Sequence, residues 1–225
     1  MDDSYGSQEV FYKEYYKSVI FGKGFGPRAV RKTHKSMEKP FKNKSYDSVL
    51  EIGGGVGEHL DFIRHQYEKY VLTDIRKPVL NSTHAANSKI ECLEANAENL
   101  PFADFTFDRV VVTCLLHHVE KPEKVLSEIS RVLKDDGVAT IFLTCDPGML
   151  VRFLRTLTTA RMAKKSGFRG YKLMVARDHR NHVGSVLEMT KYVFKNRKVK
   201  ISFFPFRFPS WNLNGYIVVQ ISGPR

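Results

Sequence analysis

Residues Val49 to Gly57, reading Val-Leu-Glu-Ile-Gly-Gly-Gly-Val-Gly, constrain the fold of this 225-residue chain more than any other segment. A short apolar run leads through one acid, Glu51, into glycines at positions 53, 54, 55 and 57. At Gly53, Gly55 and Gly57 the lack of a Cβ lets the chain turn with φ > 0 and lets backbone N–H groups approach a ligand. The segment therefore reads as a strand, a nucleotide-cofactor loop and then a helix, expected over Glu58 to Gln66. Glu58 stands where the dinucleotide fingerprint G-x-G-x-x-G wants its last glycine, so the spacing argues against a nicotinamide oxidoreductase.

Val71-Leu72-Thr73-Asp74 is a second apolar run ending in an acid. A carboxylate at the tip of the second strand can accept both hydrogen bonds of a ribose diol, and an acid roughly 20 residues beyond a glycine loop is placed to do so. The plainer alternative is that Asp74 caps a helix over Arg76 to Ala86. Downstream come Ala95-Asn96-Ala97-Glu98-Asn99-Leu100-Pro101-Phe102 and Phe105-Thr106-Phe107-Asp108, then Leu115-Leu116-His117-His118-Val119 and Arg131-Val132-Leu133-Lys134-Asp135-Asp136-Gly137.

In this order and register, from about Tyr46 to Thr144, these segments resemble the class I S-adenosylmethionine (SAM) dependent methyltransferases. The resemblance implies that SAM is the cofactor. It assigns cofactor contacts to Glu51, Gly53, Gly54, Gly55, Gly57, Asp74, Ile75, Asn96, Ala97, Glu98 and Cys114. In family members an acid receives the adenine amino group where this chain has Asn96, whose carbonyl can accept that hydrogen bond without a charge.

Alternating strands and helices predict an α/β fold, a Rossmann-like doubly wound seven-stranded sheet. Its strands are expected at Ser48–Ile52, Tyr70–Asp74, Ile90–Leu93, Arg109–Thr113 and Val138–Thr144, closed by an antiparallel hairpin of Val199–Phe204 and Tyr216–Ile221. A helix is expected over Glu123–Leu133, after Pro122. The expected organisation is a single domain over 1–225. An N-terminal helical lid (1–45), with helices over Glu9 to Ile20 and Arg28 to Lys39, precedes the cofactor core (46–145). A helical substrate insertion (146–195) and the closing hairpin (196–225) complete the chain. The glycine loop, Asp74, Asn96, His117 and Asp146 should meet at the carboxyl ends of the strands.

Composition narrows the partners. The net charge of +12 is concentrated at the end of the chain: from Val151 onward sixteen Lys and Arg face only Asp178 and Glu188. Such a one-sided excess fits an anionic partner such as a phosphorylated sugar, a lipid headgroup or nucleic acid, or else a solvated basic face. Leu150, Phe153, Leu154 and Leu157 form an apolar stripe among these cations, readable as a cap over the pocket or as a helix lying on an anionic membrane. The acidic start, Met1-Asp2-Asp3, is unlike a signal peptide, so a cytoplasmic location is expected, peripheral to the membrane at most. Cys92, Cys114 and Cys145 lack metal or disulfide spacing and read as buried free thiols. No metal ligands are expected.

Methyl transfer from a sulfonium needs alignment above all. If the acceptor is a hydroxyl, a neutral histidine is the usual base. The candidates are His117 and His118 after the fourth strand, and His179 and His182 in Arg177-Asp178-His179-Arg180-Asn181-His182. Each could instead be structural or part of a polar surface loop. Thr144-Cys145 occupies the position of a Thr-Cys nucleophile in RNA cytosine C5 enzymes, but Cys is also an ordinary core residue. The tail from Phe204 to Asn214, with the His179–His182 segment, resembles methyltransferases associated with bacterial surface polysaccharides. The expectation is O-methylation of a small phosphorylated or lipid-linked glycan or metabolite with a His base. The alternatives are an RNA methyltransferase, with Phe206, Phe208 and Trp211 stacking bases, and a catalytically silent SAM-binding protein.

Overall fold

The computed structural model describes Tyr5 and residues 7–224. The start of the chain, Met1 to Ser4, on which the signal-peptide reading rests, lies outside them. Strands β1 (Ser45–Ile52), β2 (Gln66–Asp74), β3 (Ile90–Glu94), β4 (Phe107–Thr113), β5 (Leu133–Thr144), β6 (Arg197–Phe204) and β7 (Tyr216–Pro224) form one sheet in the order β3-β2-β1-β4-β5-β7-β6. Strands β1 to β5 run parallel, and β7 inserts antiparallel between β5 and β6. This is the expected doubly wound sheet with its closing hairpin. Buried on both faces, the central strands are apolar without alternation, as in Val110-Val111-Val112 of β4, all fully buried.

Ahead of the sheet, α1 (Gln8–Val10), a π-helical turn (Phe11–Tyr15) and α2 (Tyr16–Ile20) run continuously and are followed by α3 (Phe25–Glu38). Between strands lie α4 (Ser82–Ala85) and α5 (Pro122–Val132), and after β5 come α6 (Met149–Leu157), α7 (Thr159–Lys165), α8 (Tyr171–Asp178) and α9 (Val183–Val193). One face of the sheet is covered by α5 and α9 through Val125, Ile129, Val186 and Leu187, the other by α3 through Met37 against Val111 and Phe142. Phe11 and Val19 pack with Ala163, Phe168, Tyr171 and Met174, so the N-terminal helices and the insertion form one roof over the carboxyl ends of the strands. The expected lid and insertion are thus a single structure.

Two expected helices are replaced. After the glycine loop only a 3₁₀ turn forms, at Glu58–Phe62, and β2 already begins at Gln66. The Nε2 of His59 and the Nδ1 of His65 each lie 3.1 Å from the Glu38 carboxylate. Six residues apart on an α-helix, those rings would point about 120° away from each other, so a helix would break one bond. Over Arg76 to Ala86 only α4 is helical. Pro78 disfavours helix at Lys77, and the Asn81 side chain accepts the His84 N–H at 3.0 Å, starting a helix there instead.

Glu38 also receives the guanidinium of Arg109, and both side chains are fully buried. Arg109 stacks on Phe41, its Cζ 3.5 Å from the ring centroid. Burial raises the Glu38 carboxyl, but the bonds from His59 and His65 and the charge of Arg109 outweigh it and hold the group far below the usual carboxylate range. This network anchors α3 to β4 and the loop before β2. The three cysteines are free thiols, although Cys92 and Cys114 are only partly buried.

Candidate functional site

A cavity of about 1060 Å³ lies between the strand ends and the helical roof. At one end the glycine loop forms its floor. Gly55 has φ +56°, and an added Cβ there would meet nothing nearer than Glu58 Oε2 at 3.8 Å, so its backbone faces open space. Its N–H donates to Asp74 Oδ2 at 3.1 Å, while Arg76 N–H donates to Oδ1 at 3.2 Å. The Asp74 carboxylate is therefore fixed beside the loop with lone pairs to spare.

Two further acids face this end. Glu51 is fully buried; Tyr70 donates its hydroxyl to Oε2 at 2.8 Å, while Oε1 has no partner. Glu58 Oε1 is likewise buried without a partner, and burial, aided by the Glu51 charge, pushes its carboxyl up to about 7. Ile75, Asn96, Ala97 and Glu98 line the neighbouring wall. The Asn96 carbonyl accepts Glu98 N–H at 2.9 Å, which leaves one lone pair for an incoming amino group. Glu98 itself accepts the N–H groups of Glu120 and Lys121, at 3.1 and 2.9 Å.

The other end is built from histidines. Cys114, at φ +53°, turns the chain out of β4, and Asn181 clamps the segment after it by donating to the carbonyls of Leu116 and Val119 at 2.9 and 2.7 Å. Arg180 N–H adds a bond to the His117 carbonyl at 2.9 Å. These bonds bring His179 against His117 and His118, with ring centroids 4.3 and 4.8 Å away. His179 Nδ1 lies 2.9 Å from Asp146 Oδ2. Asp146 is in turn held by Arg155 at 2.6 and 2.5 Å and by Thr144 Oγ1 at 2.9 Å. Burial raises the Asp146 carboxyl, but the bonds from His179 and Arg155 prevail and hold it well below its usual range. An ionised carboxylate can only accept, so Nδ1 of His179 is the donor, and in the neutral ring the lone pair lies on Nε2.

His118 differs. Its Nδ1 lies 3.1 Å from the Asp178 carbonyl and so donates, and its Nε2 accepts from the Tyr12 hydroxyl at 3.3 Å. Burial, with His179 nearby, lowers its pKa to about 4. His117 is lowered well below the ordinary value, first by burial and then by its two histidine neighbours, and its Nδ1 has no partner. The ligand atoms of the three rings lie within 4.8 Å of one another, close enough to gather a metal ion. Sequence spacing could not show this cluster, because His179 arrives from the insertion. With both nitrogens of His118 engaged, two imidazoles rather than three remain open to an ion.

Of the residues singled out in the sequence, His117, His118 and His179 line the cavity, as do Glu51, Gly53, Gly54, Gly55, Asp74, Ile75, Asn96, Ala97, Glu98 and Cys114. Gly57 does not; it turns the chain at φ +79° where a Cβ would strike Leu80 at 2.6 Å. His182 is exposed at the N-cap of α9, away from the other histidines. Cys145 is fully buried outside the cavity, and burial, then Asp146, pushes its thiol up to about 12, which does not suit a nucleophile. Sequence reasoning gave no role to Arg155, Tyr12 or Asn181. Only Asp146, directly after β5, carried a signal of position.

Residues 50–141 match the family model described as Methyltransferase domain. Among curated proteins, Arginine-hydroxylase NDUFAF5, mitochondrial, of Danio rerio is 32% identical over 98 residues, 42% of this chain and 30% of that protein. Ubiquinone/menaquinone biosynthesis C-methyltransferase UbiE of Francisella tularensis subsp. novicida is 35% identical over 100 residues, 40% of each. The chain thus spans 30–40% of the length of these relatives, and the shared part is the cofactor core. The solved structure of N-methyltransferase NodS from Bradyrhizobium japonicum WM9, in complex with S-adenosyl-L-homocysteine, matches over 100% of both chains with a TM-score of 0.65 at 11% identity, a likeness of fold. SAM, the cofactor of such domains, suits the groups present here. The unpartnered oxygens of Glu51 and Glu58 would accept from its ammonium, and Asp74 would accept from its ribose diol.

Proposed function

We propose that this class I SAM-dependent methyltransferase moves the methyl group onto a hydroxyl of a small lipid-linked or phosphorylated glycan or metabolite whose methyl-accepting part is apolar. The observation that carries the reading is the Asp146–His179 pair, which leaves the His179 Nε2 lone pair beside the cavity. When bound, SAM supplies an electrophilic methyl carbon and a neutral thioether leaving group. The chain has to hold the acceptor in line and take one proton. His179 Nε2 accepts that proton from the hydroxyl as the O–C bond forms, and Asp146 stabilises the resulting imidazolium while fixing the ring. Arg155 keeps Asp146 ionised throughout. The roof of Phe11, Tyr12, Tyr16 and Tyr171 excludes water, whose own hydroxyl would compete for the methyl group.

An apolar acceptor is favoured by what lines the cavity. Beyond the cofactor loops the walls are chiefly aromatic and aliphatic, and of the sixteen cations from Val151 onward only Arg155 reaches them, already committed to Asp146. Deprotonation by His179 would equally activate the ring carbon beside a phenol, which makes C-methylation of a quinol-like ring the second reading. The experiment is transfer of labelled methyl from SAM into a fractionated cell extract, with nuclease-treated and phosphatase-treated controls. Label in a solvent-extractable fraction, lost on cleaving methyl ethers, supports O-methylation; label retained after cleavage points to carbon. Label destroyed by ribonuclease would replace both with RNA methylation.

A further inference from the structure

Helix α6 has two apolar faces. Val151 and Leu154 turn inward and line the cavity, while Met149, Phe153 and Leu157, at i, i+4 and i+8, form a stripe on the outside. Phe153 is 60% and Met149 71% exposed. This stripe continues onto the loop between β6 and β7. Leu150 N–H donates to the Asn212 carbonyl at 2.9 Å, and Gly148 packs so closely on the Trp211 backbone that a Cβ would come within 2.3 Å of its carbonyl. On that loop Phe206, Phe208, Trp211 and Leu213 are all exposed, Phe206 and Phe208 stacked at 5.6 Å. At the other end of α6, Gly26 lies against Thr158, which places the exposed Phe25 next to the stripe and at the lip of the cavity.

Around this apolar arc the surface is cationic. Arg152, Arg161, Lys164, Lys165, Arg169 and Arg207 are exposed, and no carboxylate among the described residues pairs with any of them. Unpaired cations rimming exposed apolar side chains match an interface whose headgroups are anionic and whose interior is hydrocarbon. Nucleic acid would use the charges and the aromatic rings, but it offers nothing to Met149, Leu157 or Leu213. Among the described residues no helix is long and apolar enough to cross a membrane, so the contact is peripheral.

We propose that the outer face of α6 and the loop between β6 and β7 seat this protein on an anionic lipid bilayer, with the cavity opening beside the bilayer surface. The surface is separate from the His179 site and stands whether or not the acceptor is a hydroxyl. Trp211 is the single tryptophan of the chain and reports on the contact directly. The test mixes the full chain with vesicles of phosphatidylcholine alone or with about a third phosphatidylglycerol, an anionic fraction chosen to give a negative surface potential. Expected are a blue shift of Trp211 emission and quenching by brominated acyl chains with the anionic vesicles only, weakened by added salt. Phe153→Asp should lower the vesicle partition coefficient at least tenfold while leaving SAM affinity and the circular dichroism spectrum unchanged. Unshifted emission with anionic vesicles at low salt would overturn the proposal, as would undiminished binding of Phe153→Asp. So would displacement of the vesicles by single-stranded RNA that itself quenches Trp211, which would make nucleic acid the partner.

Discussion

His179, at the C-cap of α8 on the cavity wall, and Asp146, two residues past the end of β5, meet at 2.9 Å. Replacing His179 with Asn removes the proposed base and keeps the shape of the ring's near side. The turnover number should fall by about 10²–10⁴, the usual share of general base catalysis, with SAM affinity unchanged by calorimetry. Asp146→Asn should fall as well, because an amide tolerates the wrong tautomer and frees Arg155.

Asp74 is the acceptor we propose for the cofactor's ribose diol. Asp74→Ala should weaken SAM binding by about 1.5–3 kcal/mol, the worth of a hydrogen bond to a charged group, with the melting temperature of the unliganded protein little changed. Calorimetric titration of both proteins measures this. Unchanged affinity would reduce Asp74 to a residue that shapes the glycine loop through Gly55.

Much of this architecture is legible in the sequence. The glycine loop, the acid at the tip of β2 and the succession of strands along the chain come from local pattern, and a doubly wound sheet brings the carboxyl ends of its parallel strands to one edge. Two helices are not legible. The Glu58–Gln66 segment gives up its helix so that His59 and His65 can both reach Glu38, a long-range demand that no local propensity carries. The segment from Arg76 is interrupted by Pro78, and the Asn81 cap starts the helix only at Ser82. His179 is visible as a candidate, but His182 is equal to it on sequence. Asn181, which ties the segment to Leu116 and Val119, and the Arg180 N–H bonded to the His117 carbonyl together decide which of the two turns inward.

Open nitrogens on His117 and His179 make the site a target for transition ions. Zinc or nickel should inhibit methyl transfer reversibly, since the ion takes the lone pair that the proposed His179 base needs, and EDTA should restore full activity. Activity measured against added ion decides this. Stimulation by zinc would instead make the three imidazoles a working metal centre.

Acid should destabilise the fold early. His34, His65, His117 and His118 have pKa values lowered chiefly by burial, so between their folded values and the ordinary value near 6.5 the unfolded chain binds more protons. Stability then rises with pH in this window and is lost as pH falls below about 6.5, by up to about 1.4 kcal/mol per unit for each proton. For His118 the window extends down to about 4. Melting temperatures at pH 7.5 and pH 5 should differ, and the difference should shrink in His118→Asn.

The buried network on the other face of the sheet sets a limit on stability. Glu38→Ala leaves Arg109 charged and unpaired in a fully buried site, a loss of about 3–5 kcal/mol. Urea unfolding measures it, and a loss below about 1 kcal/mol would mean that water reaches Arg109 once Glu38 is gone.

Whether His179 takes the proton of a lipid hydroxyl is decided by single-turnover methyl transfer from labelled SAM to the solvent-extracted lipids of a cell extract, comparing the unaltered protein with His179→Asn at saturating SAM. Expected are label in an ether-linked methyl group for the unaltered protein and a rate lower by about a hundredfold or more for the variant, with both binding SAM equally. Equal rates in the two proteins, or label found only in a ribonuclease-sensitive fraction, would contradict that role.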